Sequence, residues 1–226
     1  MKNESKIPTG SSPLDWLLEG GFEKGIVTTI YGAAGSGKSN ICMVSVASQS
    51  HKKVLYIDTE GGFSVSRLKQ ITDEYENVLE NVSVLRPTNF KEQKKVLEDL
   101  KKMVSDDISL VIVDSIAMLY RLELWRTKNN VKTNRELGIQ LANLIQIARN
   151  FNVPVLMTNQ VYADLDNKDK YSMVGGDVLR YASKCHIEVT KDNGVRKAIL
   201  HKHRSLPEGK SVDFKIVDRG IVDLDD

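Results

Sequence analysis

"YGAAGSGKSN", residues 31–40, decides how the chain is read. It fits the pattern G-x-x-x-x-G-K-[ST], with Gly32, Gly37, Lys38 and Ser39 at the fixed positions. Each residue type has a physical task there. Glycines let backbone N–H groups close around a phosphate, the lysine reaches the terminal phosphates, and the hydroxyl ligates Mg²⁺. A chain of this length meets the pattern by chance about once in a hundred at average residue usage, so the flanks decide. "IVTTIYG" (26–32) is a β-branched run ending in the glycines, and "SNICMVSVASQ" (39–49) reads as the helix after it. That is the strand–loop–helix context the motif requires. The dinucleotide alternative is weaker: Gly35 and Gly37 give G-x-G, but the third glycine position holds Asn40.

Further strands and helices alternate outward from this loop. "KVLYIDTEG" (53–61), "VSVLRP" (82–87), "SLVIVDS" (109–115) and "VPVLMTNQ" (153–160) read as buried strands. "FKEQKKVLEDLKKMV" (90–104) is a helix whose apolar face is read as Val96, Leu100, Met103 and Val104, with lysines opposite. "LGIQLANLIQIARNF" (137–151) repeats apolar residues at Leu137, Leu141, Leu144, Ile145 and Ala148. "KCHIEVTK" and "VRKAILHKH" join through Asn193-Gly194, a two-residue hairpin signal, and "VDFKIVD" (212–218) is a last strand. The pattern predicts a single α/β domain over residues 1–226: a mostly parallel sheet flanked by helices, with an antiparallel carboxyl-terminal edge. Ligands on such sheets bind at the carboxyl ends of the strands. The glycine loop, Glu60, Asp114 and Gln160 all fall there, which makes this a nucleotide site.

Composition sets the outer bounds. The chain has 226 residues, 41% hydrophobic and 27% charged, and 32 Lys and Arg against 30 Asp and Glu leave a net charge of +2. No global field draws in nucleic acid, so such binding must come from local basic segments. No apolar run reaches the ~20 residues of a membrane helix, and Met1 to Lys6 does not resemble a secretory signal. Cys42 and Cys185 suggest no disulfide framework and read as buried free thiols in the cytoplasm.

Asp114 closes an apolar strand, the position of a second Mg²⁺-organising carboxylate, though Asp at a strand end also caps helices. Glu60, in "DTEG", could orient an attacking water or cap a turn, and spacing alone does not choose. His201 and His203 form H-x-H, which on a strand puts both rings on one face. Two ligands are too few for a closed zinc site, so no histidine-held metal is expected. Trp16 lies among leucines and reads as packing; Trp125 lies in a polar, basic stretch. That stretch, "YRLELWRTKNNVKTNRE" (120–136), reads as a long loop carrying Arg121, Arg126, Lys128, Lys132 and Arg135 around Trp125. Cations interleaved with an aromatic suit single-stranded nucleic acid, with little sequence preference. A second polar stretch, "VYADLDNKDKYSMVGG" (161–176), carries Lys168 and Lys170 as secondary candidates and by composition reads as a flexible linker.

Together these residues resemble the RecA/RadA recombinase family, and within it the short archaeal paralogs. "IPTGSSPLDWLLEGGFEKGIVTTIYGAAGSGKS" is similar to the family's opening block, "LYIDTEGGFSVSRL" to its second strand, and "LVIVDS" to its Mg²⁺ strand. "VLMTNQV", "GGDVLRYAS" and "SLPEGKSVDFKIVDRGI" match later blocks in the same order. The resemblance implies a RecA-like P-loop ATPase core that binds ATP and Mg²⁺. Gly32, Ala33, Ala34, Gly35, Ser36, Gly37, Lys38, Ser39, Asn40 and Asp114 would form the nucleotide site, with Ser39 and Asp114 on the metal. It further implies Glu60 as catalytic glutamate, Arg67 as an adenine-stacking arginine, and Gln160 as a γ-phosphate sensor opening the second DNA-binding loop.

The departures matter as much. Only six residues precede the core block, so no N-terminal DNA-binding domain is expected, and the F-x-x-A segment that links family subunits has no place. "LHKHRS" (200–205) stands where the family has the D-S-P that caps ATP across a subunit interface. The resemblance then implies a weakly hydrolytic accessory paralog in recombination and DNA repair, nucleoid-associated and monomeric or a small oligomer. Its partners would be DNA and other recombination proteins, such as the main recombinase or a junction nuclease. A KaiC-like signalling ATPase and a non-hydrolysing ATP-switched adaptor are the alternatives.

Overall fold

A computed structural model describes residues 5–127, 129–163 and 171–224. The parallel half of the sheet follows the predicted alternation. It uses β3 (Val27–Gly32), β4 (Lys53–Asp58), β5 (Val82–Leu85), β6 (Ile108–Asp114), β7 (Val155–Ala163) and β9 (Cys185–Asp192). These lie in the order β5-β4-β6-β7-β3-β9, every neighbouring pair parallel. The sheet continues antiparallel through β10 (Val195–Lys202), β11 (Ser211–Val217) and β12 (Gly220–Val222). Asn193 and Gly194 hold φ of 45° and 86° between β9 and β10, the doubly left-handed backbone of a two-residue hairpin turn. A short β8 (Tyr171–Met173) pairs antiparallel with β7, and β1 (Lys6–Ile7) pairs with β2 (Phe22–Glu23) apart from the main sheet. The architecture is the α/β, RecA-like arrangement that the sequence predicted.

Helices cover both faces. α1 (Ser12–Leu17), α2 (Lys38–Ala47), α3 (Val65–Ile71) and α4 (Tyr75–Asn81) enclose one core around Ile30, Tyr56, Ile112 and Phe214. α5 (Phe90–Met103), α7 (Asn130–Asn150) and α8 (Gly176–Ala182) enclose the other around Val113, Leu144 and Met157. Both cysteines are buried and free.

Three expectations need correction. The stretch 120–136 is no loop: α6 (Met118–Thr127) and the first turns of α7 form a helical hairpin. Neither segment shows an apolar stripe, because α6 buries Leu119 and Tyr120 but exposes Leu122 and Trp125, and α7 buries only Thr133 between Asn130 and Glu136. The buried face of α5 is Phe90, Gln93, Leu97 and Leu100, with Met103 exposed. The spacing is helical, but a glutamine occupies one buried position and hid the stripe. Trp16 is 57% exposed, its ring covered by the Lys210 ammonium at 4.3 Å.

The corrected face of α5 has a measurable consequence. Leu97→Ala should cost about 2–5 kcal/mol of unfolding free energy, the usual range for a buried leucine. Met103→Ala should stay within roughly 1 kcal/mol, as exposed positions do. Equal losses in denaturant titration would return the face to Met103.

Candidate nucleotide and catalytic site

Three adjacent strands and the P-loop strand deliver polar groups to one edge of the sheet. β4 ends in Asp58 opposite Asp114 at the end of β6, and Gln160 of β7 lies opposite Gly32 at the end of β3. Two glycines shape the loop that follows. Gly37 holds φ 114° at the start of α2, and a Cβ there would fall 2.7 Å from Ile216 Cδ1. A Cβ on Gly32 would fall 2.1 Å from the Val189 carbonyl oxygen. Arg196 of β10 steadies the turn from outside, its Nε donating to the Ser36 carbonyl at 3.2 Å.

Lys38 is turned back on its own loop. Its ammonium donates to the Gly32 and Ala33 carbonyls at 2.9 and 2.8 Å. Burial pushes its pKa down, and the nearby Glu60 and Asp114 carboxylates act against that. Neutral carbonyls are weaker partners for an ammonium than an anion is. Asn40 Oδ1 accepts from Arg67 Nε at 2.9 Å, while the Arg67 guanidinium also donates to the Val217 and Asp218 carbonyls. Arg67 is thus brought to the rim of the same site.

Asp114 is 1% exposed. Tyr56 donates its hydroxyl to Oδ2 at 2.9 Å and Thr158 donates to Oδ1 at 2.5 Å. Burial pushes the Asp114 pKa up, and hydrogen bonds from Thr158, Ser39 and Tyr56 oppose the rise. Ser39 and Asp114 meet across Gly62, where a Cβ would lie 3.2 Å from Asp114 Oδ2 and 3.4 Å from Ser39 Oγ. A hydroxyl and a carboxylate are hard oxygen donors of the kind Mg²⁺ takes, so the residues present fit that ion. The Asp114–Ser115 peptide is cis.

The turn after β4 is capped by Asp58, which accepts from the Gly62 and Phe63 amides at 2.9 and 3.2 Å. Glu60 does something else. Its Oε1 accepts from Ser115 Oγ at 2.7 Å and from Gln160 Nε2 at 2.9 Å, at an exposed edge. Thr59 holds the same segment, its hydroxyl donating to the Ser115 carbonyl and accepting from the Ser115 amide.

The base of the second polar stretch, residues 161–176, is fastened to this edge. The Val174 amide donates to the Gln160 carbonyl at 3.1 Å, and Asn159 Nδ2 donates to the Val174 carbonyl at 2.9 Å. Across a cavity of 680 Å³ from Gly175 and Gly176 lie Arg121 and Trp125 of α6. Trp125 is 68% exposed with the Arg121 guanidinium 5.4 Å from its ring. Arg126 is tied to Glu123 at 2.8 Å, while Lys132 and Arg135 are exposed on α7. Lys128, Lys168 and Lys170 lie outside the described residues. The histidines face separate carboxylates: His201 meets Glu188 at 2.6 Å, and His203, beyond the end of β10, meets Glu23 at 3.7 Å.

A model of the Rad51 family matches residues 2–224. The chain belongs to the Rad51 family. Two curated relatives carry the description DNA repair and recombination protein RadB. The one from Methanobrevibacter smithii is 45% identical, covering 98% of this chain and 97% of its own. The one from Methanocaldococcus jannaschii is 42% identical, covering 92% and 98%. A crystal structure described as the RadB recombinase superposes with a TM-score of 0.82 at 38% identity, covering 96% of this chain and 99% of that one. Membership of the Rad51 family implies binding of ATP and Mg²⁺.

Sequence reading missed Tyr56, Ser115, Thr158 and Arg196. Tyr56 did leave a signal: a tyrosine in an aliphatic strand needs a partner for its hydroxyl. Hydroxyl donors to a carboxylate favour its charged form, so Tyr56→Phe should raise the Asp114 pKa further. Carbon-detected titration of the Asp114 carboxyl would check this, and an unmoved titration would mean that Tyr56 does not hold the carboxylate.

Proposed function

We propose that the chain is an ATP- and DNA-binding recombinase paralog of homologous recombination and repair, with slow Mg²⁺-dependent hydrolysis. The observation that carries the reading is the hydrogen bond from Gln160 to Glu60. It joins Glu60, the proposed water-orienting residue, to the strand that leads into the 161–176 segment. Lys38 would neutralise charge on the γ-phosphoryl group, Ser39 and Asp114 would hold Mg²⁺, and Arg67 would flank the adenine. The bound Mg²⁺ supplies charge neutralisation of the phosphate oxygens. Among the described residues the second Glu60 oxygen has no hydrogen-bond partner while Oε1 takes Ser115 and Gln160, which would leave it to accept a proton from water. Single-stranded DNA would meet the α6–α7 hairpin at Arg121, Trp125, Arg126, Lys132 and Arg135, with Lys128, Lys168 and Lys170 as further cations. Among the described residues no helix is long and apolar enough to cross a membrane.

Binding and chemistry separate in two variants. Lys38→Ala should lose hydrolysis by a few kcal/mol of transition-state stabilisation, about 10²–10³-fold. Glu60→Gln should keep ATP affinity and slow turnover, because it removes the water-orienting charge alone. Wild-type turnover in Glu60→Gln, measured by phosphate release, would refute its assignment.

The DNA assignment is tested by salt. Each phosphate contact removed should flatten the log–log salt dependence of single-strand binding by roughly 0.7. Lys132→Ala and Arg135→Ala should each do so, uniformly across sequences. A slope unchanged in the double variant would place the DNA elsewhere.

A further inference from the structure

Two glutamines in the core are the unusual feature beyond the site. Gln93 of α5 and Gln140 of α7 are each 0% exposed. Gln93 Nε2 donates to the Ile116 carbonyl at 3.1 Å and to Gln140 Oε1 at 2.8 Å. Gln93 Oε1 and Gln140 Nε2 have no hydrogen-bond partner among the described residues. A carbonyl carries no proton, so the Gln93 atom facing Ile116 must be nitrogen, and the Gln140 atom facing that nitrogen must be oxygen. Among the described residues, the Ile116 carbonyl is the one partner outside the pair, and it fixes which way the pair points. If that carbonyl withdraws, both amides can turn over and keep their mutual bond reversed. The pair therefore has two arrangements, and the position of Ile116 selects between them.

Ile116 follows Ser115, whose hydroxyl donates to Glu60 Oε1 at 2.7 Å. Glu60 thus sits at a fork. Gln160 leads from it to the 161–176 segment, and Ser115, Ile116 and Gln93 lead to α7. Gln140 lies ten residues along the helix whose exposed start carries Lys132 and Arg135. Phe90, one turn before Gln93, stacks edge-on against Tyr120 of α6 with centroids 5.9 Å apart. Lys94 of α5 also pairs with Glu136 of α7 at 2.6 Å.

We propose that the Gln93–Gln140 pair is a positioning device that relays the state of Glu60 to the α6–α7 hairpin, separately from Gln160. This rests on the nucleotide and DNA reading above. In the arrangement described, Glu60 holds Ser115, the Ile116 carbonyl is in place, and Gln93 pins α7 to the end of β6. When nucleotide draws Glu60 away from Ser115, the neighbouring Thr59, which holds the Ser115 backbone, carries the 115–116 segment with it, the pin opens, and the hairpin is free to adjust to DNA. Such a relay needs a two-state element biased by both sites, and the amide pair supplies one.

Hydrogen exchange by mass spectrometry, with and without Mg²⁺ and a non-hydrolysable ATP analogue, tests it. In the wild type, exchange in residues 118–136 should rise on adding the analogue, and exchange in residues 160–174 should change as well. The double variant Gln93→Leu/Gln140→Leu removes both amides together, which costs less than orphaning one of them, and it takes the Gln93 donor away from the Ile116 carbonyl. It should bind the analogue with unchanged affinity, exchange its hairpin at the nucleotide-bound rate throughout, and keep the response of residues 160–174. Gln160→Ala should do the reverse. Ser115→Ala removes the hydroxyl bond to Glu60 while keeping both core glutamines, and it too should silence the hairpin response alone. A hairpin that responds normally in both the double variant and Ser115→Ala overturns the relay while leaving the proposed function intact. A wild type that binds the analogue but shows no response in either segment overturns the nucleotide–DNA reading and the relay together.

Discussion

Asp114 is a carboxylate buried at the end of an aliphatic strand, where an uncompensated charge costs several kcal/mol. Much of the surrounding structure follows from meeting that cost. Tyr56 comes from β4, Thr158 from β7 and Ser39 from the first turn of α2, so the carboxylate is held by the two strands beside it and the helix in front. Those are the elements that a phosphate loop also needs in register. Satisfying one buried charge therefore fixes the relation of the glycine loop to the strands that carry Glu60 and Gln160.

Glu60 is the counterpart at the exposed edge. Asp58 caps the turn between β4 and α3, which leaves the Glu60 side chain free of a backbone task. One oxygen then gathers two side chains from different strands, and the segments beyond them diverge. A group that changes partners when nucleotide arrives can move both at once, because only differential contacts between states shift an equilibrium.

The sheet was legible because its signals are strong and local: β-branched runs, a motif at a strand end, and Asn193-Gly194 at a turn. Asp114 and Gln160 were legible for the same reason, as polar residues ending apolar strands. What escaped notice depends on tertiary contacts. The α6–α7 hairpin shows no apolar stripe, since its apolar residues encircle α6 and the start of α7 packs on little. The α5 face was misphased by a buried Gln93, whose partners lie 23 and 47 residues away in sequence. Glu60 could be separated from a turn cap only once Asp58 was seen to fill that role. The polar residues that break the local pattern are the ones that connect the site to the rest of the molecule.

The central claim is that the nucleotide edge and the basic hairpin face are energetically one system. Coupling of that kind is reciprocal. The most direct measurement is the dissociation constant of Mg²⁺-ATP, in Glu60→Gln to suppress turnover, for the free chain and for the chain saturated with single-stranded DNA. The account predicts tighter ATP binding on DNA, by about 5-fold or more, the usual scale of allosteric coupling. An identical constant in the two conditions would contradict it.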